Sequence, residues 1–111
     1  FHFFKNMAPD DFLKLLINSK GIIGNSSVGI RECSYLRVPA INIGTRQNNR
    51  SRGENVIDIS YDRDAILSAI KKININPKVP PSNIYGKGDS GKLIAKLLST
   101  VNLNYSKTIT Y

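Results

Sequence analysis

The chain has 111 residues, of which 41% are hydrophobic and 22% are charged, a composition ordinary for a soluble globular domain. This length allows one domain with a modest core, and no apolar run is long enough to cross a membrane, so we expect no membrane partner. The net charge of +8, from 16 Lys and Arg against 8 Asp and Glu, is the usual indication of a nucleic-acid partner. The aromatic residues do not alternate with the basic ones as they do on a base-stacking surface, and we therefore expect no nucleic-acid partner.

The single cysteine, Cys33, excludes an internal disulfide and is typical of a reducing compartment, so we expect a cytoplasmic protein. Cys33 also falls on the apolar side of a helical pattern, which predicts a core residue. No cluster of Cys and His has metal-ligand spacing, and we expect neither a metal nor a cofactor. The chain opens on aromatic residues without an initiator Met or a signal-peptide pattern, and we expect it to be part of a longer protein.

Short apolar strands alternate with amphipathic helices along the chain. The predicted elements are the end of a strand at 1–4, a helix from Pro9 to about Ser19, a strand at 21–24, a helix at 27–36, strands at 38–43 and 55–59, a helix capped by Asp62 or Asp64, and a last helix capped by Asp89 or Ser90. Residues 44–53 are predicted to be a loop, and residues 74–88 an extended connection. Residues 1–101 then form one domain, and the polar residues 102–111 form a tail.

This alternation predicts an α/β fold with an open, mostly parallel sheet between two helical layers. Ligands of such sheets bind outside the carboxyl ends of the strands. The loops at 24–29 and 44–53 both follow predicted strands, so we expect them to meet at the same edge of the sheet.

The segment Gly24-Asn25-Ser26-Ser27-Val28-Gly29 leads from a strand into a predicted helix. Free backbone N–H groups, two hydroxyls and the positive end of a helix dipole would meet there, a combination that binds phosphate. Taken alone, Ser26 and Ser27 favour the alternative of ordinary helix caps. Gly29 favours the anion site, because a glycine early in a helix costs stability unless a ligand or backbone approaches closely.

Two charged side chains near this segment have alternative interpretations. Glu32 could simply complement a helix dipole, or it could accept hydrogen bonds from the two hydroxyls of a ribose. Arg46 could be a solvated loop arginine, or it could donate to phosphate oxygens through its planar guanidinium. The same two alternatives apply to Arg50 and Arg52.

Together, the segments Gly24–Glu32, Val38–Gln47 and Gly53–Val56, with Arg50 and the closing Ile84–Asp89, resemble the C-terminal half of UDP-N-acetylglucosamine 2-epimerases. The resemblance runs from about Met7 to Val101 and is stronger to the hydrolysing branch, which releases UDP and N-acetylmannosamine. It implies a Rossmann-like half of a two-domain, glycosyltransferase-B-like fold that binds UDP-N-acetylglucosamine in the cleft between its halves.

The resemblance also implies roles for individual residues. Ser26 and Ser27 would donate to the UDP phosphates, Arg46 would lie beside them, Glu32 would bind the ribose, and the backbone of Met7 would contact the uracil. The acid and base carboxylates of the family lie in the N-terminal domain, so no catalytic residue is assigned in this chain and we expect it to be inactive alone. The family makes amino sugars of the sialic-acid type, and we expect the full-length protein to be a homo-oligomer.

Two other functions remain open at this point. A glycosyltransferase of the same fold would transfer the sugar of a UDP-sugar donor to an acceptor. A basic module would instead bind nucleic acid through Arg46, Arg50, Arg52 and the lysines, with an affinity that falls steeply as salt is added.

Overall fold

The computed structural model describes residues 1–75 and 79–102. The elements follow one another as α1 (Pro9–Ile17), β1 (Ile22–Gly24), a 3₁₀ turn (Ser27–Gly29), α2 (Glu32–Leu36), β2 (Ala40–Ile43), β3 (Val56–Ile59), α3 (Arg63–Ile75) and α4 (Ser90–Thr100). The predictions for residues 76–78 and 103–111, which include most of the predicted tail, lie outside the described residues.

The three strands form one parallel sheet in the order β1-β2-β3. Ile23 of β1 is in register with Ile41 of β2, which in turn is in register with Ile57 of β3. The predicted parallel α/β sheet is confirmed, and all three strands end at the same edge.

Helices cover both faces of the sheet, so the predicted layers are confirmed. On one face Leu16 of α1, Cys33 of α2 and Val38 form a buried cluster, against which Ile22 of β1 packs. On the other face Ile41 packs with two residues of α3, Ala69 and Ile73. Side chains of a strand point alternately to its two faces, which is why neighbouring residues of the apolar strands supply both cores.

The prediction of one helix over 27–36 is wrong. The Gly29 N–H donates to the Ser26 carbonyl at 3.3 Å and the Ile30 N–H to the Ser27 carbonyl at 3.0 Å, so the first turn is a 3₁₀ turn. The regular helix α2 begins only at Glu32 and has five residues. Gly29 would fall in the first turn of the predicted helix, where glycine is less favourable than alanine, and here it lies against the sheet instead.

The prediction of a strand end at residues 1–4 is also wrong. These residues form no strand, and Phe1 and Phe3 are 115% and 92% exposed. A strand needs a neighbour to bond its backbone groups, and no strand of the described residues lies beside this segment.

Asp62 is the cap of α3, since its Oδ2 accepts from the Ala65 N–H at 2.7 Å. At the start of α4, Asp89 occupies the cap position without a side-chain hydrogen bond. Helix α3 extends through Ile75, so the predicted extended connection begins later than residue 74. Within residues 1–75 and 79–102, no helix is both long and apolar enough to cross a membrane.

Candidate functional site

Asn25 joins the two loops that follow β1 and β2. Its backbone carbonyl accepts a hydrogen bond from Gln47 Nε2 at 2.8 Å, and its side-chain Oδ1 accepts one from Arg46 Nη1 at 3.4 Å. Gln47 is 4% exposed, and its hydrogen bond with Asn25 is partly buried. The predicted meeting of the two loops at one edge of the sheet is confirmed. It brings Arg46 next to residues 24–29, which we call the serine turn.

Ser26 and Ser27 lie on the 3₁₀ turn at this edge. The Ser26 Oγ accepts from the Val28 N–H at 3.3 Å, which is a capping bond and leaves its own hydroxyl proton free to donate elsewhere. Ser26 is exposed and Ser27 is half-buried, so a ligand could reach both hydroxyls. Because α2 has only five residues, the hydroxyls and the turn supply the donors here in place of a long helix dipole.

Gly29 is buried between the turn and the sheet. A Cβ at this position would lie 3.2 Å from Ala40 Cβ and 3.6 Å from Ile22 Cγ2. Close packing of the turn on β1 and β2 therefore accounts for the glycine without a ligand. Its predicted role in ligand approach stays a prediction.

Glu32 lies in a groove of about 440 Å³ between α1, α2 and the turn that leads into α4. Tyr35 and Tyr85 line the same groove and are 53% and 40% exposed. The Tyr85 hydroxyl donates to the Ser51 carbonyl at 2.6 Å. This bond connects the turn before α4 to residues 44–53, which we call the arginine loop. The groove thus offers a carboxylate and two aromatic rings close to that loop.

The three loop arginines have different surroundings. Arg46 and Arg50 are exposed. Arg52 instead donates from Nη1 to the Arg50 carbonyl at 2.6 Å and from Nη2 to the Gln47 carbonyl at 2.9 Å. Its Nε lies 2.6 Å from Oδ2 of Asp58 on β3, an ion pair. Arg52 is therefore held by the protein itself.

Asp58 is shared between this ion pair and the sheet. Asn42 of β2 donates from Nδ2 to Asp58 Oδ1 at 2.6 Å. Burial alone raises the pKa of Asp58, but hydrogen bonds from Arg52 and Asn42 and the guanidinium charge hold the pKa below its ordinary value. The carboxylate is accordingly charged at neutral pH.

Sequence reasoning missed the structural roles of Gln47, Arg52 and Asn55. Asn55 is 2% exposed, and its Nδ2 donates to the carbonyls of Gly29 and Val38 at 2.9 and 3.2 Å. The one sequence signal for Asn55 is a polar residue directly before an apolar strand, which does not reveal its partners.

Met7 is half-buried ahead of α1, and no hydrogen bond in the part of the chain that the structure describes connects it to the serine turn. Cys33 is fully buried, which confirms it as a core residue. Burial and the nearby Glu32 charge raise the pKa of Cys33 to about 12. Among the described residues, no three His, Cys, Asp or Glu side chains come together as a metal site.

The model of one protein family, described as UDP-N-acetylglucosamine 2-epimerase, matches residues 1–99. The chain belongs to the UDP-N-acetylglucosamine 2-epimerase family. Its family membership agrees with the resemblance carried by the serine turn and the arginine loop. The match includes both loops that meet at Asn25.

Three curated relatives cover most of the chain. A hydrolysing UDP-N,N'-diacetylbacillosamine 2-epimerase of Legionella pneumophila is 38% identical over 90% of this chain and 26% of its own length. A UDP-N-acetylglucosamine 2-epimerase of Neisseria meningitidis is 33% identical over 89% of the chain and 26% of its own length. A hydrolysing GDP/UDP-N,N'-diacetylbacillosamine 2-epimerase of Campylobacter jejuni is 35% identical over 91% of the chain and 27% of its own length. The chain spans about a quarter of the length of these enzymes.

Proposed function

We propose that this chain supplies the UDP-binding surface of a hydrolysing UDP-sugar 2-epimerase. The observation that carries the proposal is the junction at Asn25, where Gln47 and Arg46 bring the arginine loop against the serine turn. Membership in the family supports UDP as the ligand, because the names of all three relatives include a UDP-linked sugar.

The junction has the donors that a diphosphate needs. The hydroxyls of Ser26 and Ser27 and the guanidinium of Arg46 can donate to the phosphate oxygens, and Arg46 adds a positive charge. Negative charge grows on the β-phosphate as UDP departs from the sugar. Fixed donors aimed at that oxygen stabilise the transition state more than the bound substrate, which is how this half would promote the reaction.

The nucleoside is proposed to lie in the groove that contains Glu32. The carboxylate would accept hydrogen bonds from the two ribose hydroxyls, and Tyr35 and Tyr85 offer ring faces for the base. Hydrogen bonds between Tyr85 and Ser51, and between Gln47 and Asn25, link the groove through the arginine loop to the phosphate side. Met7 remains a proposed backbone contact to the uracil.

The complete enzyme would remove a proton at C2 of the sugar, eliminate UDP, and add water to the resulting glucal, so that UDP-N-acetylglucosamine and water give N-acetylmannosamine and UDP. The acid and base carboxylates of these steps would lie in a further domain, so we propose that this chain alone binds UDP weakly and is catalytically inactive. A cytoplasmic location and a homo-oligomer of the full-length protein belong to the same proposal.

The test is a titration of the chain with UDP, in which NMR monitors the amide chemical shifts of residues 24–32 and 44–53. We expect saturable binding that Ser26→Ala, Glu32→Gln and Arg46→Ala each weaken, the last by about tenfold or more, because it removes a charged donor. Lys71→Ala removes a positive charge from the exposed side of α3 and is the matched control. Absence of UDP binding, together with tight and steeply salt-dependent binding of arbitrary DNA or RNA, would favour the nucleic-acid module.

A further inference from the structure

Arg52 makes three contacts, two with its own loop and one with a strand of the sheet. Two of them bind the backbone of its own loop, through the carbonyls of Gln47 and Arg50. The third is the ion pair with Asp58, whose side chain is 46% exposed and which belongs to β3, an edge strand of the sheet. Arg52 thus fastens a loop that has no regular secondary structure to a strand.

The Asp58 carboxylate, to which Arg52 binds, is itself held in place by β2. Asp58 is in register with Asn42 of β2, and the Asn42 side chain donates to the second oxygen of the same carboxylate at 2.6 Å. Asn42 is 4% exposed. The buried Asn42 therefore orients the carboxylate that pairs with the Arg52 guanidinium.

Within the loop, Arg52 is connected through Gln47 to the proposed phosphate site. Gln47 accepts from Arg52 through its backbone and donates from its side chain to the Asn25 carbonyl at 2.8 Å. Arg46 precedes Gln47 and contacts the Asn25 side chain. A continuous chain of contacts therefore runs from β3 through Arg52 and Gln47 to the serine turn.

We infer that Arg52 is a positioning residue, which holds the 44–53 loop against β3 so that Arg46 stays beside the serine turn. The inference rests on the proposed function, because it assigns Arg52 a task in the same UDP site. All three guanidinium nitrogens of Arg52 are already engaged, and its side chain is only 23% exposed. Arg52 consequently acts through the loop, and Arg46 is the arginine that meets the ligand.

Two variants that change the charge in opposite directions distinguish a positioning role of Arg52 from a direct electrostatic attraction of UDP. Arg52→Ala removes a positive charge and Asp58→Asn removes a negative one. If Arg52 attracted the diphosphate by its charge, Asp58→Asn would strengthen UDP binding. If the pair positions the loop, both variants weaken UDP binding, by about three- to tenfold, because the ordering of the loop must then occur on binding.

A double-mutant cycle adds a second readout. Arg52→Ala should have little effect on UDP affinity when Arg46 is already Ala, since the side chain to be positioned is gone. Arg52→Lys should not restore affinity, because one ammonium cannot bridge two carbonyls and a carboxylate in the geometry of the planar guanidinium. Lys71→Ala is again the charge control and should leave the affinity unchanged to within about twofold.

Amide hydrogen exchange, measured without ligand, tests independently of UDP binding whether Arg52 holds the loop. The Asn48 N–H, which donates to the Thr45 carbonyl at 3.0 Å, should exchange several-fold faster in Arg52→Ala and Asp58→Asn, while amides of α3 keep their rates. Unchanged exchange at Asn48, or additive effects of Arg46→Ala and Arg52→Ala, would overturn the positioning role. Failure of the unmodified chain to bind UDP would instead overturn the proposed function, and faster exchange in the variants would still show that Arg52 holds the loop.

Discussion

The side-chain amide of Asn55 donates a hydrogen bond of 2.9 Å to the carbonyl oxygen of Gly29. The same Nδ2 reaches the Val38 carbonyl at 3.2 Å, so one buried side chain connects the serine turn to the segment before β2. These carbonyls lie where water has no access to replace a lost donor, since Asn55 is 2% exposed. Asn55 thus has a structural role, because it holds Gly29 of the serine turn in place.

Asn55→Ala is expected to lower the free energy of unfolding by about 1–3 kcal/mol, because it leaves two buried acceptors without a donor. Urea denaturation followed by circular dichroism measures the change. Asn74→Ala replaces an exposed asparagine of α3 and serves as control, with a change expected within about 0.5 kcal/mol. Equal effects of the two substitutions would contradict the structural role of Asn55.

Gly29→Ala should also destabilise the protein, by about 1 kcal/mol, because the added methyl would press on Ala40 of the central strand. Gly91→Ala is the matched control: it lies in α4 with open space around its Cβ position, so alanine should stabilise by about 0.5–1 kcal/mol. Thermal unfolding of both variants measures the difference. A stabilising Gly29→Ala would mean that the turn does not pack closely on the sheet.

Cys33 should resist alkylation by iodoacetamide in the folded protein. Burial and the Glu32 charge raise the pKa of its thiol to about 12, so the reactive thiolate is scarce at neutral pH, and the sulfur is inaccessible. Labelling at increasing urea, read by mass spectrometry, should therefore follow global unfolding. Rapid labelling without denaturant would contradict the core position of Cys33.

Asp58 should make stability dependent on pH on the acid side. Since its pKa is lower in the folded protein than in the unfolded chain, its contribution is present above the unfolded pKa and is lost as pH falls through the folded pKa. Between about pH 5 and pH 2, Asp58→Asn should show a shallower loss of stability than the unmodified chain.

The control for this measurement is Glu54→Gln, which removes an exposed carboxylate from the neighbouring loop. In Glu54→Gln the pair of Asp58 with Arg52 is intact, so the acid-side loss of stability that this pair causes should remain. Identical slopes for Asp58→Asn and the unmodified chain would show that the pair with Arg52 does not favour the charged carboxylate.

Local patterns were sufficient for much of the fold. Apolar runs predicted the three strands to within two residues at either end, and Asp62 was one of two predicted caps of α3. Because parallel strands end at one edge, the meeting of the two loops also followed from the order of elements. The predicted helix at 27–36 failed, since helical spacing of apolar residues does not reveal how closely Gly29 must approach β2.

The sequence by itself determined the α/β alternation, the buried cysteine and the positions of the serine turn and the arginine loop along the chain. Only the tertiary structure decided that Arg46 and Arg50 are exposed whereas Arg52 is held, because the folded loop brings Arg52 to Asp58 of β3. It also decided that Asn55 supports Gly29, a contact between residues 26 positions apart. Such contacts depend on which faces and edges meet after the sheet has formed, and spacing along the chain carries no record of that geometry.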